Sequence, residues 1–311
     1  MGNSSWIKYK IEIWERLRRF AAGRLAMPEK SPKTTGANLI RAFFIKTLTA
    51  ALLTTCLFYA ADLLVGSGLS FSQYVWQTVA NFLIILLLGI YLHSTRLKNW
   101  KRYLSVVAIY FFIGHFSILI EAYLFDVSDL NMTILEMARG FFIVLLISLI
   151  LVRLFPVRKE PIKSNTDYPV RFRIRPLGLL SGVFLYLFIY GLAGFVLQAS
   201  YPEFLEFYKG KIPSFSRIAG VQIIRSFLFM GIAIVVLRSC LLAKPKTALL
   251  IAMLFSVLGG IAPLIPPNEL MPGYVRIGHF FEVGISNFLY GYILGYILVS
   301  NSEEKEKAFV T

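Results

Sequence analysis

The sequence predicts an all-α, polytopic integral membrane protein, a helical bundle of about eight transmembrane helices. Three observations predict it. The 311 residues are 57% hydrophobic and 16% charged, with a mean hydropathy of +0.68, too apolar for a water-soluble chain of this length. The apolar residues gather into stretches each long enough to cross about 30 Å of hydrocarbon as a helix. Lysine and arginine cluster in every second polar connection, as cytoplasmic loops do.

Residues 1–38 are expected to form a cytoplasmic amphipathic helix and linker. In Trp6–Ala21 the side chains of Trp6, Tyr9, Ile13, Leu17 and Phe20 share one face, and Lys8, Glu12, Glu15, Arg16 and Arg19 take the other. That pattern suits a helix lying in the membrane interface. This segment lacks the apolar core of a cleavable signal peptide. Residues 39–155 carry four predicted spans, Leu39–Leu64, Tyr74–Leu92, Tyr103–Phe125 and Ile134–Phe155. Residues 177–299 carry four more, Leu177–Ala199, Ile218–Leu237, Ala248–Ile265 and Val275–Val299. Helices are required because backbone groups in lipid must be satisfied within the segment. The charged, proline-containing stretch 156–176 separates two four-helix halves as a cytoplasmic tether, and 300–311 is a cytoplasmic tail.

Direction follows from the basic loops. Arg96, Lys98, Lys101 and Arg102 follow the second span. Arg158, Lys159 and Lys163 follow the fourth, and Arg238, Lys244 and Lys246 the sixth. Both termini are therefore expected in the cytoplasm, the membrane being a cell membrane of the bacterial inner-membrane type. The net charge of +15 lies in these short loops, beside anionic headgroups, and no soluble domain is expected that would carry it to a nucleic acid. Cys56 and Cys240 fall in or beside spans and are expected as free thiols.

Two segments hint at internal repetition. Asn81 to Leu92 resembles Asn287 to Leu298, and Glu136-x-x-Arg139-Gly-Phe141 resembles Gln222-x-x-Arg225-Ser-Phe227. Duplication of this kind is common among transporters.

Polar groups inside spans cost several kcal/mol when unpaired, so each is a functional candidate. By the expected topology Asp62, Gln77, Asn81, His115, Glu121, Glu136, Arg139, Gln222 and Arg225 all fall in the outer half of the membrane. The last span has the clearest pattern. Arg276, His279, Glu282, Ser286, Asn287 and Tyr290 fall within one arc of roughly 140° on a helix, with an apolar back opposite. Arg139 and Arg225 cannot lose their protons, so each needs an acid or an anion. Glu136 is expected to pair with Arg139 and Glu121 with Arg225, unless the guanidinium forks hold an anionic headgroup or carboxylate. The run Gly259 to Pro267 is expected to break the outer end of the seventh helix.

No HExxH, nucleophile elbow or phosphate loop occurs, and neither metal nor cofactor is expected. The candidate substrate-binding or proton-handling residues are His279, Glu282, Arg276, Asn287, His115, Glu121, Arg139 and Arg225. The stripe on the last span is expected either to converge with His115 or Glu121 on a water-accessible cavity or to pack dry against other helices. The leading expectation is a secondary transporter or flippase-like permease for a lipid or an anionic small molecule. The alternatives are a membrane-embedded enzyme acting on a lipid or isoprenoid, with His279 as acid–base and Glu282 orienting it, and a non-catalytic assembly or sensory partner. The partners expected are the bilayer and such a substrate, without nucleic acid; the sequence names no protein partner.

Overall fold

The computed structural model describes residues 36–65, 70–157, 173–267 and 271–300. The helix expected at Trp6–Ala21, most of the 156–176 connection and the tail after residue 300 lie outside the described residues. The chain divides into two units, Met1–Phe44 and Ile45–Thr311. In the first, the described residues belong to the opening turns of a helix.

The described helices are α1 (Gly36–Val65), α2 (Phe71–Ser94), α3 (Asn99–Leu124), α4 (Leu130–Leu154), α5 (Pro176–Ser200), a short α6 (Pro202–Tyr208), α7 (Phe215–Ser239), α8 (Lys244–Leu264) and α9 (Gly273–Ile297). Seven of them are long and apolar enough to cross a membrane. The eighth long helix, α9, has 25 residues but carries Arg276, His279, Glu282 and Asn287, which dilute its apolar character. The molecule is thus a multi-pass helical membrane protein. Two local signals start helices where the polarity changes. Ser70 and Gln73 form a capping box at α2, and the Asp129 carboxylate accepts from the Met132 backbone N–H at α4.

The second unit is closed at one end by basic side chains on helix C-terminal carbonyls. Arg102 is buried and donates to Leu92 O of α2 at 2.9 Å and to Val152 O and Phe155 O at the end of α4. Arg96 donates to Arg238 O of α7 at 2.6 and 3.0 Å, and Lys244 Nζ donates to Val299 O beyond α9 at 3.3 Å. The carbonyls of Leu92, Val152 and Arg238 lie in the last turns of their helices, lack partners there and carry the negative end of the helix dipole, so a cation both satisfies and neutralises them. Backbone pairing adds to the closure through a Thr95–Cys240 bridge and a two-residue pairing of β1 (Arg173–Ile174) with β2 (Val299–Ser300). Burial pushes the Cys240 thiol up to about 12, so it stays protonated and serves as a small apolar group.

Small residues set the packing. A Cβ at Gly291 of α9 would lie 2.8 Å from the Cα of Ala252, and one at Gly295 would lie 2.7 Å from the Cα of Ala248. The backbones of α8 and α9 therefore touch, as helices do where lipid gives no hydrophobic push and close van der Waals packing must hold them. Large apolar side chains such as Phe184, Phe188 and Phe195 of α5 face outward, where hydrocarbon replaces water.

The expected break at Gly259–Pro267 does not occur at its start. Helix α8 continues to Leu264 through a π turn, Val257–Ile261. Pro263 has no N–H for the carbonyl four residues earlier, that of Gly259, and the Asn287 amide of α9 donates to that carbonyl at 3.2 Å. Asn287 also reaches Phe255 O at 3.4 Å. A second π turn, Phe112–Phe116, interrupts α3, and the Ser117 hydroxyl caps its Phe112 carbonyl at 2.7 Å. The two π turns pack together, Ile113 lying 3.2 Å from where a Cβ of Gly259 would sit. Composition gives no sign of either turn, because a π turn is set by what the freed carbonyls meet.

Gly291→Val should therefore force α8 and α9 apart, costing about 1–3 kcal/mol. A lowered unfolding midpoint of the purified protein in detergent would show it, and an unchanged midpoint would contradict the close approach.

Candidate functional site

The acidic side chains of the second unit's described helices lie toward the end opposite the basic closure. At the centre is Arg225 of α7, whose side chain is 2% exposed. Its Nη1 lies 2.6 Å from Glu121 Oε2 in the last turn of α3 and donates to Gln222 Oε1 at 3.0 Å. The Gln222 amide in turn donates to Glu121 Oε1 at 3.2 Å. Arginine, glutamine and glutamate thus form a closed three-member ring of contacts. Glu121 remains 24% exposed, while the Nε of Arg225 is buried with no partner. The acid is the less deeply buried half of the pair.

A second polar chain stands beside it. Glu282 Oε2 lies 3.0 Å from His279 Nδ1, and Tyr208 of α6 lies 2.8 Å from His279 Nε2. An ionised carboxylate only accepts hydrogen bonds, so Nδ1 carries the hydrogen. In a neutral imidazole Nε2 then accepts from the Tyr208 hydroxyl, and in an imidazolium Nε2 donates to the Tyr208 oxygen. The i, i+3 spacing on α9 brings Glu282 and His279 together. Tyr208 arrives from outside the spans, held by Phe204, Phe125 and Phe207 rings. Burial first, and then the charges of Glu121 and Glu282, raise the Tyr208 hydroxyl above its ordinary value. The same two acids lie within electrostatic reach of Tyr186 and Tyr190 on α5, and these tyrosines are within reach of Arg225. One tyrosine-lined neighbourhood therefore holds Glu121, Arg225, Glu282 and His279.

The other intramembrane arginine is held differently. Arg139 of α4 contacts Glu136 at 2.8 Å and also Asp62, which comes from α1. Tyr74 of α2 donates to Asp62 at 3.3 Å. Arg139 thus has two carboxylates, whereas Arg225 has one carboxylate and the neutral Gln222 at the position matching Glu136. The expected pairs Arg139–Glu136 and Arg225–Glu121 are both present, and Asp62 is a third participant.

The remaining candidates lie elsewhere. His115, in the π turn of α3, packs on α4 so closely that a Cβ at Gly140 would lie 2.7 Å from its Nδ1, and Phe58 and Tyr110 flank its ring. Arg276 donates to Pro266 O at 2.9 Å and fastens the turn between α8 and α9. Asn287 serves the π turn of α8. The stripe on α9 therefore splits into three environments: a loop clasp at Arg276, the histidine relay at His279 and Glu282, and a helix repair at Asn287. Only the middle one adjoins Glu121. Helical periodicity places side chains on a common face, but each neighbouring helix decides what that face meets.

Nothing in the sequence singles out Tyr208. It is one of 16 tyrosines and lies in a short helix between spans, so nothing in its context separates it from the others. Asp62 had a signal, being an acid at the end of an apolar helix, but no spacing rule ties it to Arg139. Among the described residues no group of three His, Cys, Asp or Glu side chains could hold a metal ion. No protein-family model, curated protein or solved structure matches this chain.

Removing one partner of a buried ion pair costs about 3–5 kcal/mol because the other charge is stranded. Glu121→Ala should approach the lower figure, the exposure of Glu121 letting water soften the loss. Adding Arg225→Gln should restore much of the stability. A double-mutant cycle on unfolding free energy in detergent checks this, and additive losses would refute the coupling.

Proposed function

We propose that this chain is a secondary transporter or flippase-like permease for a lipid or an anionic small molecule. In this reading the chain crosses a bacterial inner membrane eight times as two halves of four, with both termini in the cytoplasm and the site in the outer half. The observation that carries the proposal is the buried guanidinium of Arg225, balanced by a single, partly exposed acid. A fixed cation that must always have a counter-anion, beside an accessible acid that supplies it, is a site where an incoming carboxylate or phosphate can take the acid's place. The polar residues of α9, unusual for a spanning helix, put the His279 relay in the same tyrosine-lined neighbourhood as that guanidinium. The basic loop pattern and the cations on the C-termini of α2, α4, α7 and α9 support the cytoplasmic assignment of that end.

The relay itself favours a second reading. Glu282, His279 and Tyr208 stand in the order of an orienting acid, a base and a hydroxyl, the arrangement by which enzymes activate a nucleophile or proton donor. A membrane-embedded enzyme acting on a lipid or isoprenoid would use it so.

Accessibility separates these readings. In a protein lacking Cys56 and Cys240, single cysteines near Ser67, Asp129 and Asn268 should react with a membrane-impermeant thiol reagent from outside, and those near Lys98 and Lys163 should not. Outside labelling at Lys163 would overturn the topology. Ser226 is buried beside Arg225. A cysteine there should react with reagent supplied from either side of sealed, oriented vesicles, because a carrier must expose its site alternately. Labelling from one side only would remove the transport reading and leave the enzyme, for which His279→Ala should abolish turnover of a fold that stays intact.

A further inference from the structure

The two intramembrane arginines share a motif that differs at one decisive position. Glu136 stands three residues before Arg139, and Gln222 stands three residues before Arg225. Each side chain meets its arginine, and each arginine also receives an acid from another helix, Asp62 for Arg139 and Glu121 for Arg225. Arg139 would keep a counter-charge if either acid were lost. Arg225 would not. It is also the more deeply buried, its side chain 2% exposed against 23% for Arg139. Taking the charge from Glu121 therefore leaves a desolvated guanidinium facing only a neutral amide, a strong and specific demand for another anion.

Glu121 is placed to be that switch. It lies in the last turn of α3, where the helix dipole disfavours a negative charge, and it is 24% exposed. It is faced by Arg225 and Gln222 of α7, Tyr186 and Tyr190 of α5 and Tyr208 of α6, with His279 and Glu282 of α9 behind Tyr208. On α4, Glu136 and Arg139 are engaged with one another and with Asp62. The other groups facing Glu121 are aromatic. Tyr186 packs against Phe229 and Tyr290, and Phe229 lies one turn along α7 from Arg225. The Tyr290 hydroxyl is buried with no partner.

We propose that Arg225 binds the carboxylate of a small aromatic monocarboxylic acid in place of Glu121, and that Glu121 takes up one proton as it is displaced. The ion pair between Glu121 and Arg225 breaks, a proton from solvent adds to the Glu121 carboxylate, and the incoming carboxylate forms the new pair with Arg225 and accepts from the Gln222 amide. Charge is conserved at the site, so each anion enters with one proton. This rests on the transport reading above and names its substrate class and coupling ion.

The sign of the pH dependence follows. Binding takes up a proton wherever the empty protein holds Glu121 ionised, so affinity falls as pH rises, by about tenfold per pH unit. The test uses the purified full-length chain, radiolabelled benzoate as the probe, and proton uptake recorded with binding from about pH 5 to pH 8. An Arg225→Gln variant sets the background. The wild type should take up one proton per benzoate bound. Glu121→Gln keeps the hydrogen-bonding shape and removes the charge; it should bind benzoate with no proton uptake and no pH slope, and benzoate should raise its unfolding midpoint at every pH. Gln222→Glu gives Arg225 the second acid that Arg139 has, and should weaken benzoate binding at least tenfold while the protein unfolds no more easily. Benzoate bound by the wild type without proton uptake, undiminished binding by Gln222→Glu, or no binding by the wild type at any pH would each overturn the proposal. Two-sided labelling of the Ser226 cysteine with any of those results would leave a carrier with a different substrate or coupling. One-sided labelling would remove the carrier itself.

Discussion

A guanidinium that cannot lose its proton and cannot reach water has to be met by an acid, and the arrangement of α3 and α7 follows from meeting that demand at Arg225. Glu121 can reach it only if the last turn of α3 lies against the middle of α7. Gln222 then fits between the two by virtue of helical spacing alone. The π turn at Phe112–Phe116 adds a residue to one turn of α3 and so changes the direction in which every later residue points. Glu121 lies beyond that turn. The close packing of Ile113 against Gly259 fixes where the adjustment happens, and so couples the ion pair to the seam between α3 and α8.

The opposite end obeys a related constraint with the charges reversed. Helices α2, α4, α7 and α9 all finish there, so four sets of unpaired carbonyls and four negative dipole ends share one surface. Arg102 and Arg96 each reach the carbonyls at the end of another helix, and Lys244 reaches the backbone just beyond α9. Residues of the kind that give a membrane protein its direction thus also join its helices. The buried Arg102 shows this best, since its three acceptors are backbone oxygens of two different helices and no carboxylate is needed.

Between the two ends the core is held by contact at backbone distance. Glycine and alanine let α8 and α9 touch, and that closeness lets the Asn287 amide reach carbonyls displaced by the π turn and by Pro263. A proline in the last turn of a spanning helix would otherwise leave the Gly259 carbonyl short of a donor. The irregularity of α8 and the polar asparagine of α9 are one feature seen from two helices. The same close packing leaves His279 and Glu282, a few turns away on α9, facing a different set of neighbours that includes Tyr208.

The helical class and the helices of spanning length and apolarity were legible in the sequence because they depend on length, hydrophobicity and local spacing. So were the pairs Arg139–Glu136 and Arg225–Glu121: one follows from the helical repeat, and the other from the need of a buried cation for an acid at the same depth. What the sequence left open required distances between helices. It could not assign Asp62 to Arg139 or bring Tyr208 to His279, because each contact joins residues from helices whose neighbours are chosen by packing. Nor could it separate Arg276, His279 and Asn287, which periodicity puts on one face and tertiary structure sends to a loop, a relay and a π turn. Hydrophobic patterning fixes which segments enter the membrane and how they turn their faces. The close fit of small residues, a term of many short-range contacts with no periodic signature, decides which faces meet.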